Sequence, residues 1–301
     1  MRRPDSPDSD ASFAVSGPGL SPAQISAGAV HAAVRVARRL GIGPVDPLVL
    51  RASQHVSIRL RPLDVVARVA STQEAGAAAR LRRELAVARH LVARSAPVVP
   101  PTAEFPAGPH FHDGYGVTLW RFVAHLAADA DNSADVKRAA DALRRVHRAL
   151  ADYRGELPSF MVKIAKCRAL LQRGSALPAL PAADRAFLLA VHDRILVAVD
   201  ASLVEPVPIH GDAHLGNVFI TSDGALWTDF EDVCLGPREW DIGSLPEGGR
   251  TAFDSANHDL LSALADLRSL CVCVWCWARY DAPERREAAQ YHLGYLRERF
   301  C

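Results

Sequence analysis

From His55 to Arg61 apolar and polar positions alternate, with Val56, Ile58 and Leu60 set against Ser57, Arg59 and Arg61, the period of a strand with one buried face. Pro62-Leu63-Asp64 turns the chain, and residues 65–70 return as a second strand. The spacing then lengthens. Leu81, Leu85, Ala88 and Leu91 or Val92 share one stripe of a helix predicted over 74–94, which Pro97, Pro100 and Pro101 close. Ahead of the strands, Ile25, Val30, Val34, Val36 and Leu40 keep a mainly helical spacing over 22–40, with Gly41 as the stop. Residues 116–123 read as a further strand. Past a polar stretch at 129–135 the chain becomes mostly helical, over 136–153, 160–172, 182–203, 251–280 and 283–300. Residues 1–20, rich in Ser, Pro, Asp and Gly with little to bury, read as a disordered leader.

One stretch interrupts the helices. His210-Gly211-Asp212-Ala213-His214-Leu215-Gly216-Asn217 is followed by an apolar run at 218–220, a Ser222-Asp223-Gly224 turn and a second apolar run at 225–227, which together predict a β-hairpin. Four or five residues per arm, at ~3.3 Å each, carry the chain roughly 15 Å out and the same distance back. Asp229 therefore returns beside Asn217, while Asp212 stays on the loop ahead of the first arm. That is an arrangement for phosphoryl transfer, which needs a carboxylate to orient an attacking hydroxyl and accept its proton. It also needs hard oxygen ligands for the Mg²⁺ that bridges nucleotide phosphates. Two plainer readings compete. Asp and Asn favour turns on their own account, and His210, Asp212 and His214, at spacings of two, could share a strand face as metal ligands.

Composition narrows the class of function. At 301 residues, with 49% apolar and 23% charged positions, the chain has room for a sizeable core in one or two domains. A net charge of +1 argues against a nucleic-acid binder that works through a basic surface. Positive charge is carried by arginine; lysine occurs only at Lys137, Lys163 and Lys166. No run approaches the ~20 apolar residues of a membrane span, and Arg2 and Arg3 lack the apolar core of a secretory signal behind them. The expectation is a cytoplasmic protein with neither a membrane nor a nucleic-acid partner. Of the six cysteines, Cys271, Cys273 and Cys276 fall in the apolar run 270–277, where buried helical thiols are expected over a zinc or redox pair.

The 210–217 phrase, the hairpin and Asp229 resemble the H-G-D-x-H-x-x-N signature, hairpin and aspartate of the aminoglycoside phosphotransferase/choline kinase-like family, relatives of the protein kinases. The resemblance covers roughly residues 50–300 and is strong at 210–241. It implies an α+β, two-lobed protein-kinase-like fold, with 21–123 as a nucleotide-binding lobe built on a small sheet. Residues 124–301 would form a larger, mostly helical catalytic and substrate lobe. It implies that Asp212 is the catalytic base, that Asn217 and Asp229 hold the metal, and that Asp241 braces the catalytic loop by hydrogen bonds. His210 is expected to pack beneath that loop. The implied cofactors are ATP and Mg²⁺, and the implied reaction moves the γ-phosphoryl group to a hydroxyl of a small-molecule acceptor such as an aminoglycoside or another antibiotic. Trp120, in a strand similar to the family's interlobe hinge, is implied as an adenine-pocket wall, beside the plainer reading of a core aromatic.

The chain departs from the family pattern in two places. The family sets a lysine in the strand before the helix, paired with a helix glutamate, to hold the nucleotide phosphates. Here the slot in Asp64-Val65-Val66-Ala67-Arg68-Val69-Ala70 is filled by Arg68, with Glu84 as its candidate partner. A guanidinium can bind phosphate bidentately but is bulkier than a lysine; the alternative is a surface ion pair of small consequence. Nor is there a glycine-rich phosphate loop. Ser53-Gln54-His55 stands in its place, with Ser53 as a candidate phosphate cap. These departures keep open a second class, an inactive kinase-like binding protein (pseudokinase). Glu247, Asp254, Asp259 and Asp266 could meet a cationic acceptor or form an ordinary solvated face. The sequence chooses neither the acceptor nor the oligomeric state.

Overall fold

The structure is a computed structural model that describes residues 22–301 apart from 53–54, 73–75, 202–204, 254–255 and 281. The expectations for the leader and for Ser53 therefore lie outside the described residues. Helix α1 (Pro22–Arg39) ends where Gly41, at φ 73°, lets the chain double back and the Ile42 N–H reach the Ala37 carbonyl at 3.0 Å. Strands β1 (Asp46–Ala52), β2 (Val56–Arg61), β3 (Val65–Ser71), β4 (His110–His112) and β5 (Tyr115–Arg121) form an antiparallel sheet in the order β1-β2-β3-β5-β4. Helix α2 (Ala77–Ala93) lies between β3 and β4 in the chain.

Strand periodicity decides what this sheet offers to each side. Val65, Ala67 and Val69 of β3 pack with Val117 and Leu119 of β5 against Ala32, Ala33 and Val36 of α1. The alternate residues, Val66 and Arg68 with Trp120 and Thr118 opposite them in register, point the other way. There α2 presses close: a Cβ on Gly116 would meet Leu81 Cδ1 at 2.4 Å. Register alone thus commits Arg68 to the side of the sheet away from α1. Strand β1 left no alternating signature because it is an edge strand, with Leu48, Val49 and Leu50 all exposed.

The larger lobe contains α3 (Ser133–Leu150), α4 (Met161–Gln172), α5 (Ala182–Ala201), α6 (Arg238–Ile242), α7 (Glu247–Arg250), α8 (His258–Trp277) and α9 (Pro283–Phe300). Two small sheets carry the central loop. One is β7 (Val207–Ile209) paired with β10 (Cys234–Gly236). The other runs β6-β8-β9, from β6 (Leu126–Ala127), β8 (Val218–Thr221) and β9 (Gly224–Trp227). The predicted hairpin is in register Val218↔Trp227 and Thr221↔Gly224. It is pinned to α3 by buried Trp227, whose indole N–H donates to the Ala139 carbonyl at 3.1 Å.

The helix expected over 251–280 is shorter than the sequence pattern suggested. It begins at His258 because the Asn257 side-chain oxygen accepts the N–H groups of Asp259 and Leu260, each at 3.1 Å. By length and composition α8 is, among the described residues, the one helix apolar enough to cross a membrane, and 67% of that stretch is buried inside the protein. It runs through the largest apolar cluster, with Leu267, Leu270, Cys271 and Cys273 packed against residues of α4, α5 and α9. Asn257→Ala should lower the unfolding free energy by about 1 kcal/mol. Leu267→Ala, inside the cluster, should cost about 2–5 kcal/mol. Both are read from urea midpoints at unchanged slope.

Candidate active site

The loop between β7 and the hairpin is held from below by one carboxylate. Asp241, on α6 and fully buried, accepts the backbone N–H of His210 at 2.8 Å and of Gly211 at 2.9 Å, and meets His147 Nε2 at 2.7 Å. Trp240, beside it, donates its indole N–H to the Gly211 carbonyl at 2.9 Å. Gly211 has φ 82°, and a Cβ there would lie 2.1 Å from the Asp232 carbonyl oxygen. Only glycine lets the loop after β7 run that close to the segment that follows the hairpin.

His210 is packed beneath the loop, against the rings of Phe230 and Trp227. Its Nε2 meets the Thr228 carbonyl at 3.0 Å and its Nδ1 receives the Asp212 N–H at 3.4 Å, which puts the ring proton on Nε2. Burial, outweighing the nearby carboxylates, lowers its pKa and keeps the imidazole neutral. With both ring nitrogens engaged, His210 does not join Asp212 and His214 as a metal ligand, so that competing reading fails.

Asp212 and Asn217 are joined by a hydrogen bond, and Asp229 follows the residue that bonds to the Asn217 carbonyl. The Asn217 amide nitrogen donates to the Asp212 backbone carbonyl at 3.0 Å, and the Asn217 carbonyl accepts the Thr228 N–H at 3.0 Å. Asp229 follows directly, in the left-handed region at φ 67°, which turns the chain sharply out of β9. No hydrogen bond among the described residues engages Asn217 Oδ1 or Asp229 Oδ2. An amide oxygen and a carboxylate oxygen are hard donors, which fit Mg²⁺ or Ca²⁺.

The side chain of Asp212 sits among cations. Arg268 Nη2, from α8, donates to Oδ1 at 2.9 Å; Lys163 Nζ, from α4, is 4.0 Å from the same oxygen; His214 Nε2 is 3.5 Å from Oδ2. Burial opposes ionisation of Asp212, but Lys163, His214 and Arg268 together hold its pKa well below the usual carboxylate value. Lys163 also binds Asp232 at 2.6 Å.

Arg68 and Glu84 are paired, and the pair is buried rather than superficial. The second guanidinium nitrogen reaches further than the sequence suggested, to Asp229 Oδ1 at 2.6 Å, with Glu231 Oε2 at 3.9 Å. Burial works against the charge on Arg68, but Asp229, Glu84 and Glu231 raise its pKa. Glu84, with no exposure and its Oε2 without a hydrogen-bond partner, is pushed up to about 7 by burial despite Arg68. His55, at the start of β2, meets Glu231 at 2.8 Å. Burial of Glu231 is outweighed by His55 and Arg68, which pull its pKa down to about 2. These contacts tie the sheet to the segment after the hairpin.

Trp120 is 7% exposed, and its indole N–H donates to Thr118 Oγ1 at 2.9 Å. It packs with Leu85 and Ala88 of α2, and half-buried Val66, Val123, Phe219 and Leu226 gather against the same cluster. An apolar seam thus runs between the β3–β5 sheet and the hairpin. Sequence reasoning missed Val66 and Phe219 in this seam, and also Lys163, Arg268, His55 and Glu231. Lys163 was noted only as one of three lysines, and nothing local tied α4 or α8 to Asp212. Of the acidic helix residues, Asp266 is taken up by Tyr295 at 2.6 Å and Arg299 at 3.3 Å, and Asp254 lies outside the described residues.

The sheet with helices α1 and α2, the larger helical lobe and the loop-plus-hairpin between them make up a two-lobed, protein-kinase-like fold. The chain belongs to the phosphotransferase enzyme family, whose sequence profile matches residues 49–283. Among solved structures, an amicoumacin kinase in complex with AMP-PNP, Ca²⁺ and its antibiotic is similar, with TM-score 0.66, 11% identity, and 84% of this chain and 88% of that one covered. The GDP and kanamycin complex of an aminoglycoside 2″-phosphotransferase gives TM-score 0.66 at 17% identity, covering 87% of this chain and 96% of that one. A choline/ethanolamine kinase family protein from Mesorhizobium loti gives 0.62 at 17%, covering 88% and 93%. No curated protein sequence matches the chain.

Burial disfavours the charged form of Asp241, but the hydrogen bond and charge of His147, with His210, lower its pKa below the ordinary 3.8. Its contribution to stability is therefore complete above that value and is lost as the pH falls through the lower folded pKa. Asp241→Ala should cost about 3–5 kcal/mol at neutral pH, because it strands buried donors. In the variant the further loss of stability in acid should be shallower than in the wild type, measured by urea unfolding across a pH series.

Proposed function

We propose that this protein transfers the γ-phosphoryl group of ATP to a hydroxyl of a small molecule. The observation that carries the reading is the tie between the loop and the hairpin: the Asn217 amide donates to the Asp212 carbonyl, the Asn217 carbonyl accepts the Thr228 N–H, and Asp229 follows Thr228 with one carboxylate oxygen unengaged. Family membership supports it, as do the nucleotides bound by the amicoumacin kinase and the 2″-phosphotransferase.

Asp212 orients the acceptor hydroxyl and takes its proton as the oxygen bonds to the γ-phosphorus, the bond from that phosphorus to the bridging oxygen breaks, and ADP leaves. Asn217 and Asp229 hold Mg²⁺, which when bound neutralises charge on the phosphates. Arg68, kept in place by Glu84, offers its guanidinium to the nucleotide phosphates, as a bidentate donor where relatives use a point charge. The apolar seam where Val66, Phe219 and Trp120 gather is the side on which the adenine ring would lie. Asp241 works through the backbone it holds, by fixing His210 and Gly211 so that Asp212 keeps its place.

Asp212→Asn should cut turnover by ~10²–10⁴ while leaving Mg-ATP affinity largely intact; unchanged turnover removes Asp212 from the chemistry. Asp229→Ala should abolish the Mg²⁺ dependence of nucleotide binding in a calorimetric titration, and equal affinity for Mg-ATP would contradict the metal assignment. ADP release across a panel of hydroxyl compounds separates an enzyme from a kinase-like binding protein, which would bind Mg-ATP without turning it over.

A further inference from the structure

Resting on the phosphotransferase reading, we infer that the acceptor is a small hydroxy compound carrying an anionic group, a carboxylate or a phosphate ester, which Arg268 and Lys163 bind beside Asp212. Two permanent cations from different helices stand at the carboxylate, Arg268 at 2.9 Å and Lys163 at 4.0 Å. Both are mostly buried, with side chains 12% and 19% exposed, so water screens them poorly. Aromatic rings hold them in position: Lys163 Nζ lies 5.1 Å from the ring centre of Trp275, and the Arg268 guanidinium 5.7 Å from that of Trp240. A cationic acceptor that brought its hydroxyl to Asp212 would have to lie against both.

The donors are not used up. Arg268 Nη1 is buried with no hydrogen-bond partner, so this donor of the guanidinium is still uncommitted. A guanidinium presents its donors as a planar fork. With Nη2 on Asp212 and Nη1 on the acceptor's anion, Arg268 fixes the anionic group a few bonds from the reacting hydroxyl. The acidic residues that would favour a cation are engaged elsewhere. Asp232 is bound to Lys163, Asp266 to Tyr295 and Arg299, and Glu239 Oε1 to the Asn257 N–H at 3.1 Å. The expectation runs against the kanamycin bound by the 2″-phosphotransferase and against the choline/ethanolamine kinase family name of another similar structure.

The test uses the full chain with Mg-ATP and five probes: glycerate and glycerol phosphate as anions, glycerol as the neutral match, choline and kanamycin as cations. Binding is measured by calorimetry and transfer by ADP release. The anions should bind at least about tenfold tighter than glycerol, Arg268→Gln should erase the difference, and Arg268→Lys should restore part of it, with Mg-ATP affinity steady in both variants as the check that they are folded. Equal binding of anions and glycerol, a preference for choline or kanamycin, or an anion preference that survives Arg268→Gln would each overturn the proposal. The two readings fail separately. Arg268-dependent anion binding with no ADP release from any probe supports the anion site and removes the phosphotransfer reading. Transfer to choline or kanamycin keeps phosphotransfer and removes the anion site.

Discussion

A carboxylate sealed from water must be met by donors, and Asp241 is met by three: two consecutive backbone N–H groups and a histidine ring. Those two N–H groups belong to His210 and Gly211, at the point where the chain leaves β7 and turns sharply into the loop. Without an acceptor beneath them they would be buried donors with nothing to bind. The position of Asp212 follows from this contact, because His210 and Gly211 precede it directly. The position of Asn217 follows from Asp212, whose carbonyl it binds. Asp229 in turn follows from the hairpin register that begins at Asn217. One buried acceptor on α6 therefore sets the frame for residues brought in by three other elements.

Across the cleft the ordering device is ionic. Arg68 reaches Glu84 on α2 and Asp229 after the hairpin at the same time, and His55 adds a second tie through Glu231. Such a cluster contributes little net stability when its members are fully desolvated. What it does fix is relative position: a sheet residue, a helix residue and a residue of the other lobe share one guanidinium. The charge is not evenly distributed. Arg68 keeps its proton and Glu231 is pulled well down, whereas Glu84, behind them with an unpaired oxygen, is the member for which burial prevails.

Local pattern made much of this legible. Alternation at 56–60 and 65–70 located β2 and β3, and the polar turn at Ser222-Asp223-Gly224 located the hairpin to within a residue. It failed where local pattern carries no information. Strand β1 is exposed along nearly its whole length, so it has no buried face to alternate with. The start of α8 was written in Asn257 with Asp259 in the first turn, a capping signal outweighed by the apolar run behind it. At the site, the order of Asp212, Asn217 and Asp229 was visible because the hairpin between them is a local structure. Their partners on other elements are distant in the chain: Arg268 lies 56 positions from Asp212, and Arg68 161 from Asp229. No spacing rule reaches that far. Only the packing of α4 and α8 against the loop brings Lys163 and Arg268 to it.

The two ends of the cleft carry opposite electrostatic problems, and that bears on the exchange of lysine for arginine. Around Arg68 stand three carboxylates, Glu84, Asp229 and Glu231, with His55 on the Glu231 side chain and Arg83 on its carbonyl. Around Asp212 two carboxylates, its own and that of Asp232, are matched by Lys163 and Arg268. The pairing of charges at the second end removes the attraction that a polycation would need. Arg68 suits the first end because a planar fork can satisfy two carboxylates on separate elements together, which a single ammonium on a flexible stem does with less geometric definition. The surroundings of Asp212 are thus set by a few side chains on α4 and α8, far in sequence from the loop they meet, and can differ between chains that share the fold.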